Sequence, residues 1–526
     1  MKKSLMFALL LGLVSVTYAS NKIAIDYYDA GDYATAKSYF LNGNIDAMDS
    51  YYLGKIYLIT NKKDSAEFYF NKGLQLDPAN AYNKVGLATL SNDTKALSAI
   101  AGDKMFKKDP QMLIAVAQAF AFNNNQQQVD NYVARAKKAD KRHPLPFIFE
   151  GDQFLAQKKT NEAASKYENA LYFDPNSKIA LLKLSQIYEN VRTQVAVDYL
   201  NKAIELDPQY AVGLASLGDL SYRKGFYPQA LDAYNKYFNV IKPSPADYER
   251  YVAILYFNKK YDQALDAINK ASDTFVMNRL KMYSLTELGK YDEALAAGQK
   301  FFNMVNSTDI IAQDLTTYAD LLSRNKQYAE AATYFNRAYK LDTTKVDILK
   351  DLAKTYENAK DYKNATICYQ TLASKPEAAL SDIFMLGRLY YIAGNDETIT
   401  DAALKATYLT QADNTFKTVV ERMPDNYMGY FWRARTNTAL DPELTQGLAK
   451  PYYEKALELM IPQKDERKGE IIEAYRYLGY YYYVKNDMAQ AKSTFNKILE
   501  LDPTNETALQ VIKNIDTPKR PAGNRK

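Results

Sequence analysis

Small and apolar positions recur along this chain with a period near 34 residues. The segment Tyr51 to Pro78, YYLGKIYLITNKKDSAEFYFNKGLQLDP, and the segment Arg476 to Pro503, RYLGYYYYVKNDMAQAKSTFNKILELDP, share one frame. Each has Leu-Gly, then a Tyr three residues after that glycine, an Ala twelve after it, a Phe sixteen after it and a Pro twenty-four after it. The frame alanine returns as Ala36, Ala66, Ala163, Ala196, Ala230, Ala264, Ala294, Ala331, Ala365, Ala412, Ala449 and Ala491, and a tyrosine stands three residues before six of these, as at Tyr227 and Tyr362. Small residues at fixed places let two helices approach closely, and rings at the intervening places fill the gaps. The Asp-Pro step ends the second helix of each pair, because proline offers no amide hydrogen and its ring clashes with the preceding turn. One such pair cannot cover its own apolar face, so neighbours must stack.

This spacing resembles the tetratricopeptide repeat, a unit of two antiparallel helices with Gly or Ala at position 8, Tyr or Leu at 11, Ala at 20, an aromatic at 24, Ala at 27 and Pro at 32. Gly151, Phe154, Ala163, Tyr167, Ala170 and Pro175 follow it, whereas the unit with Ala319, Leu322, Ala331, Phe335 and Ala338 has Thr343 where proline would stand. The resemblance implies an all-α fold: an α-solenoid of about 14 antiparallel helix pairs forming a right-handed superhelix. The expected organisation is a signal peptide at 1–19, an N-terminal and central array at 20–375 that is degenerate over 80–144, a C-terminal array at 376–515, and a basic tail at 516–526. The C-terminal array carries an insertion near 394–406, expected as a protruding loop or extra helical turn, and a capping helix from about Asn505 to Ile515. Lys242 to Tyr248, KPSPADY, reads as the best internal linker.

Composition sharpens this picture in three places. Lys2 and Lys3, the apolar run from Leu5 to Val16 and Thr17-Tyr18-Ala19 before Ser20 read as a secretory signal with cleavage after Ala19, which places the mature protein in a periplasm. The run is shorter than a bilayer span, no cysteine follows it to take a lipid, and no later stretch is long and apolar enough to cross a membrane, so any membrane association is through a partner. The formal net charge is +5; removing the two lysines of the leader and the four basic residues of the tail leaves −1 for the body, which argues against nucleic acid as a ligand. With one histidine, His143, and one cysteine, Cys368, neither a His-based catalytic triad nor a zinc site of the usual ligands can be assembled. His143 is expected at a helix end and Cys368 in the interior. Phosphate-loop and dinucleotide fingerprints are missing, so no cofactor, no metal and no enzyme activity is expected.

Tyrosine, at 46 copies, is the compositional anomaly, and six of nine residues from Tyr475 to Tyr483 carry it. By the resemblance, Tyr475 and Tyr482 fall at positions 4 and 11 of the interior, while Tyr480 and Tyr483 fall at positions 9 and 12 of the concave face. The same concave positions read Asp152, Gln186, Glu189, Asp219, Tyr222 and Asp320 in the middle of the chain, an acidic strip. Towards the C-terminus they read Phe384, Arg388, Tyr391, Phe431, Arg435, Arg476, Tyr480 and Tyr483, and these eight are the expected partner-binding groove. Rings give contact area at little entropic cost and arginine offers fork-shaped donors to carboxylates. The expected ligand is a peptide segment of an envelope protein with acidic and apolar residues; the alternative is a glycan-capture component of an outer-membrane uptake system. High Tyr, Asn and Lys usage looks like that of Bacteroidetes-type chains.

Overall fold

In a computed structural model, residues 21–375 and 378–517 are described, and every regular element among them is a helix. The leader at 1–19 and the basic tail from 518 onward lie outside the described residues. The helices fall into two compact units that divide between Asp273 and Thr274.

The first unit contains α1 (21–30), α2 (Tyr33–Asn42), α3 (Ala47–Ile59), α4 (Lys63–Leu76), α5 (Ala81–Leu90), α6 (Thr94–Gly102), α7 (Pro110–Phe122) and α8 (Gln126–Ala139). It continues with α9 (Leu145–Ala156), α10 (Thr160–Phe173), α11 (Lys178–Tyr188), α12 (Thr193–Leu206), α13 (Ala211–Arg223), α14 (Tyr227–Val240), α15 (Pro245–Phe257) and α16 (Tyr261–Ile268). The second unit contains α17 (Phe275–Glu287), α18 (Tyr291–Met304), α19 (Ala312–Arg324), α20 (Tyr328–Leu341), α21 (Val346–Asn358) and α22 (Tyr362–Ala373). After these come α23 (Leu380–Asn395), α24 (Ala402–Arg422), α25 (Tyr427–Leu440), α26 (Lys450–Met460), α27 (Lys468–Val484), α28 (Met488–Leu501) and α29 (Glu506–Asp516). Odd and even helices pair in sequence, and α29 is left as a single terminal helix.

The repeated frame explains the pairing. All twelve frame alanines, from Ala36 to Ala491, have no exposed surface. Each position-8 glycine faces the ring of its own pair: a Cβ on Gly54 would stand 2.3 Å from Phe70, and one on Gly479 would stand 2.7 Å from Phe495. Phe70 serves two pairs, because Gly86 of α5 presses on the same ring at 2.3 Å. Burying such a ring contributes roughly 1.5–3 kcal/mol. The hairpin turns use a residue in the left-handed region, as at Asn61, Lys259 and Asn486, and the following amide reaches back five residues; Lys62 N–H donates to the Tyr57 carbonyl at 2.8 Å. That closes the first helix of the pair and starts the second.

At the end of the second helix the aspartate carries the turn. Asp77 accepts the amide of Ala79 at 3.0 Å, and Asp342 accepts that of Thr344 at 3.1 Å although Thr343 replaces the proline. The proline only reinforces a turn that the carboxylate already holds. KPSPADY is such an inter-pair link: the Asp247 amide donates to Ser244 Oγ at 3.3 Å, and the Ser244 amide donates to Asp247 Oδ2 at 2.7 Å, a capping box that opens α15. His143 lies in the link before α9, where its Nδ1 accepts the amide of Leu145 at 3.3 Å, so it caps the start of α9 rather than the end of α8.

Three departures from the period are resolved. In the degenerate stretch α7 buries every residue from Met112 through Phe120 except Gln118, so it needs no amphipathic frame. The insertion is absorbed by lengthening: α23 and α24 have 16 and 21 residues, against 13 and 14 for α17 and α18. Asp396 in the connecting loop is held by Lys360 at 3.2 Å and by the Tyr362 hydroxyl. The longer link after α25 is organised around Asp441, which accepts the amides of Thr445, Gln446 and Gly447 at 3.0, 3.0 and 2.7 Å.

Inside the first unit, α1 reaches pairs far along the chain. The Tyr27 hydroxyl lies 2.8 Å from that of Tyr237 in α14, Lys22 pairs with Asp207 at 2.8 Å, and Asp26 faces Lys178 of α11 at 3.8 Å.

Candidate partner-binding face

The first helices of the last three pairs, α23, α25 and α27, carry all eight residues expected to form the groove, and the structure distributes them over three neighbouring patches. The first patch is built on Trp432. Phe384 and Tyr391 of α23 meet this indole edge-on, with ring centres 5.8 and 5.4 Å away. Arg388, one turn from each, has its Nη1 3.9 Å from the Met385 sulfur, and no carboxylate comes within ion-pair distance of it among the described residues.

A hollow of about 440 Å³ between α25 and α27 forms the second patch. Phe431, Trp432 and Arg435 line one side, Glu470 and Glu473 the other, and Tyr427 closes an end. The Arg435 guanidinium lies 4.6 Å from the centre of Phe431 and 5.1 Å from that of Trp432. Its Nε and Nη2 donate to both oxygens of Glu473 at 2.8 and 2.7 Å. The hydrogen bonds to Glu473 hold the Arg435 pKa above its ordinary value, so the pair stays charged. The free donor fork expected of Arg435 is therefore already filled, and Arg435 acts as a rigid brace between α25 and α27. Phe431 is buried and supports this brace from below.

Tyr480 and Tyr483 belong to the third patch, a hollow of about 820 Å³ that they share with Glu506, Leu509, Gln510 and Lys513 of α29. Tyr480 rests edge-on against Phe495 at 5.3 Å, and Tyr483 is 36% exposed. The tyrosine run thus splits by side: Tyr477 turns inward onto Tyr453 at 4.9 Å, Tyr475 and Tyr482 are half-buried, and Tyr483 faces out. Arg476 is exposed and has no ion-pair partner among the described residues.

Two residues of this face escape a reading by position alone. Glu473 falls at position 2, itself a concave place in the repeat frame, and reading that place in α27 would have found it. Trp432 falls between frame positions, and the only signal for it is that it is the chain's one tryptophan.

The carboxylates of the acidic strip expected in the middle of the chain are paired with cations of the chain itself. In the first unit Asp152 pairs with Lys183 at 3.1 Å, Glu189 with Arg223 at 2.7 Å and Asp219 with Arg250 at 3.1 Å. Asp152 and Asp219 also accept the hydroxyls of Tyr167 and Tyr234, at 2.7 and 2.8 Å, and Arg250 stands over the Tyr222 ring at 5.2 Å. In the second unit Asp320 pairs with Arg324 on its own helix at 2.8 Å. Cys368 is buried, and burial pushes its thiol up to about 11, which keeps it protonated.

Comparison with known proteins agrees with this architecture. The family model described as tetratricopeptide repeat matches residues 49–80, 315–345 and 472–505. A TPR repeat-containing protein of Methanocaldococcus jannaschii is 23% identical over 380 residues, which is 68% of this chain and 56% of that protein. The BBSome complex member BBS4 of Bos taurus is 21% identical over 236 residues, 44% of this chain and 46% of that protein. The chain spans about half the length of these curated relatives. The crystal structure of the C-terminal part of a TPR repeat-containing protein from Cytophaga hutchinsonii is 31% identical, covering 50% of this chain and 98% of that one, with a TM-score of 0.40. The repeat fold is one that serves protein–protein interaction, and among the described residues no helix is long and apolar enough to cross a membrane. By its repeated frame, its paired helices and these matches, the chain belongs to the tetratricopeptide-repeat family.

Proposed function

We propose that this protein is a non-enzymatic scaffold, exported to the cell envelope, and that the face built from α23, α25 and α27 holds a segment of a partner protein. The observation that carries this reading is the placement of Arg388 and Arg476, cations without carboxylate partners, on the helices that flank Trp432 and the Arg435–Glu473 brace. An extended or helical segment with apolar residues would set them against Trp432 and Tyr483 and offer acidic side chains to the two arginines. The leader supports export, with Ser20 as the first residue of the mature chain.

The test is crosslinking in the native envelope with the double variant Arg388→Glu/Arg476→Glu. Neither arginine makes an ion pair among the described residues, so the variant should still fold cooperatively while its crosslinked partner is lost. Undiminished capture by the folded variant removes this face from consideration. Retardation of the protein in gels containing polysaccharide, with no crosslinked protein partner, would replace a peptide ligand with a glycan.

A further inference from the structure

The first unit holds a half-open chamber. Inner-face residues of α3, α5, α7 and α9 wall it, and Tyr28 of α1 and Tyr33 of α2 close one side, leaving a volume of about 380 Å³. That is within the size range of small-molecule sites. The lining is largely apolar and aromatic, with Tyr51, Phe70, Phe122 and Phe149 among its walls.

Two charged side chains stand in the lining, Lys55 of α3 and Asp152 of α9. The Lys55 ammonium donates to Gln118 Oε1 at 2.8 Å and lies 5.0 and 5.2 Å from the ring centres of Tyr28 and Tyr51. No carboxylate reaches ion-pair distance of it among the described residues. The surrounding charges are otherwise engaged: Asp152 of α9 holds Lys183 of α11 at 3.1 Å, and Asp26 of α1 faces Lys178 at 3.8 Å. The remaining carboxyl, Asp29 of α1, is pushed up to about 7 by burial, against the pull of Lys55, so near neutrality it balances the lysine only in part. Burial in turn draws Lys55 down to about 8. An ammonium has three protons to place, and one amide oxygen with two ring faces leaves room for a further acceptor.

We propose that this chamber binds a small organic anion, with an apolar or aromatic body among Tyr28, Tyr51, Phe122 and Phe149 and its carboxylate on the Lys55 ammonium. A charge-assisted hydrogen bond in such surroundings is stronger than the same contact in water. A cationic ligand is disfavoured, because Lys55 already occupies the ring faces that would receive it.

The test is calorimetric titration of the full chain at pH 7 with 4-phenylbutyrate and, separately, with its primary amide. The acid should bind saturably and at least about tenfold more tightly than the amide. Lys55→Met should abolish that preference, and Lys55→Arg, which keeps the charge, should retain it. Raising the pH from 7 to 9 should weaken the acid and leave the amide unchanged, since Lys55 loses its proton over that range. Arg388→Glu/Arg476→Glu should leave the acid's affinity as it was, so failure at the partner face and failure here are distinguishable. The inference is overturned if the acid does not bind saturably, if acid and amide bind equally, or if folded Lys55→Met binds the acid undiminished. Should Lys55→Met not fold, the comparison of acid with amide on the unaltered chain decides alone.

Discussion

The inner faces of the two units are built from the same frame positions and end with opposite electrostatics. In the first unit the frame places carboxylates at Asp152, Glu189 and Asp219, and each finds a cation on the next first helix, 31 to 34 residues along the chain, so the strip is spent on internal ion pairs. In the second unit the frame places arginines at 388, 435 and 476, and only Arg435 finds a carboxylate. Residue type at a concave position therefore says little about what that position offers a ligand. What decides is the side chain one repeat further on, because successive first helices lie side by side and their charges neutralise each other before a partner arrives.

This contrast can be broken or sharpened by measurement. The largest effect should be common to both units: Phe70→Ala in the first and Phe495→Ala in the second remove a fully buried ring and should each cost about 3–5 kcal/mol in denaturant unfolding. A loss confined to one unit would mean that the shared frame is not what holds the other. Next is the burial of Asp29, whose carboxyl in the folded state titrates near 7 against an ordinary 3.8. A raised carboxylate pKa means the folded state binds its proton more tightly, so stability is greatest below the unfolded value and falls as pH rises through the folded one. Asp29→Asn should accordingly stabilise the first unit at pH 8, on the order of 2 kcal/mol once its partial exposure is discounted, and the gain should vanish below about pH 4. Melting curves at the two pH values check this.

Smaller again is the brace in the second unit. Glu473→Gln should cost about 1–2 kcal/mol, because Arg435 and Tyr453 lose a half-buried carboxylate, whereas Glu189→Gln, in the more exposed pair with Arg223, should cost about 0.5–1 kcal/mol. Equal costs would erase the distinction between a brace and a surface pair. Least of all, Lys259→Gly should stabilise by roughly 0.5 kcal/mol, since a left-handed turn strains any residue with a Cβ and glycine removes that strain at some cost in chain entropy.

The helix pairs were legible in the sequence because their signal is local and repeated: Gly54 meeting Phe70, or Gly479 meeting Phe495, is a contact between residues sixteen apart, and Gly151 with Tyr167 and Gly218 with Tyr234 report it again. The length of the insertion was legible for the same reason, as a shift in the spacing from Gly387 to Ala412. The pairing of Arg435 with Glu473 was not, since it spans 38 residues and depends on how far each pair rotates from the last, a small angle that no motif residue records. The chamber around Lys55 was hidden for the same reason, because it needs Tyr28, Tyr51 and Phe149 to converge from three separate pairs. Trp432 gave no periodic signal at all.

The hydroxyl contact between Tyr27 and Tyr237 spans 210 residues and sets an order of events during synthesis. The segment of the first unit that leaves the ribosome earliest obtains its final neighbours last, after α11 through α14 have emerged. Until then α1 has exchanged none of its solvent for protein on that side, and the entropy of so long a loop weighs against early closure. A nascent chain in this condition keeps that side of α1 open to solvent, and sealing of the unit becomes a late step timed by chain length.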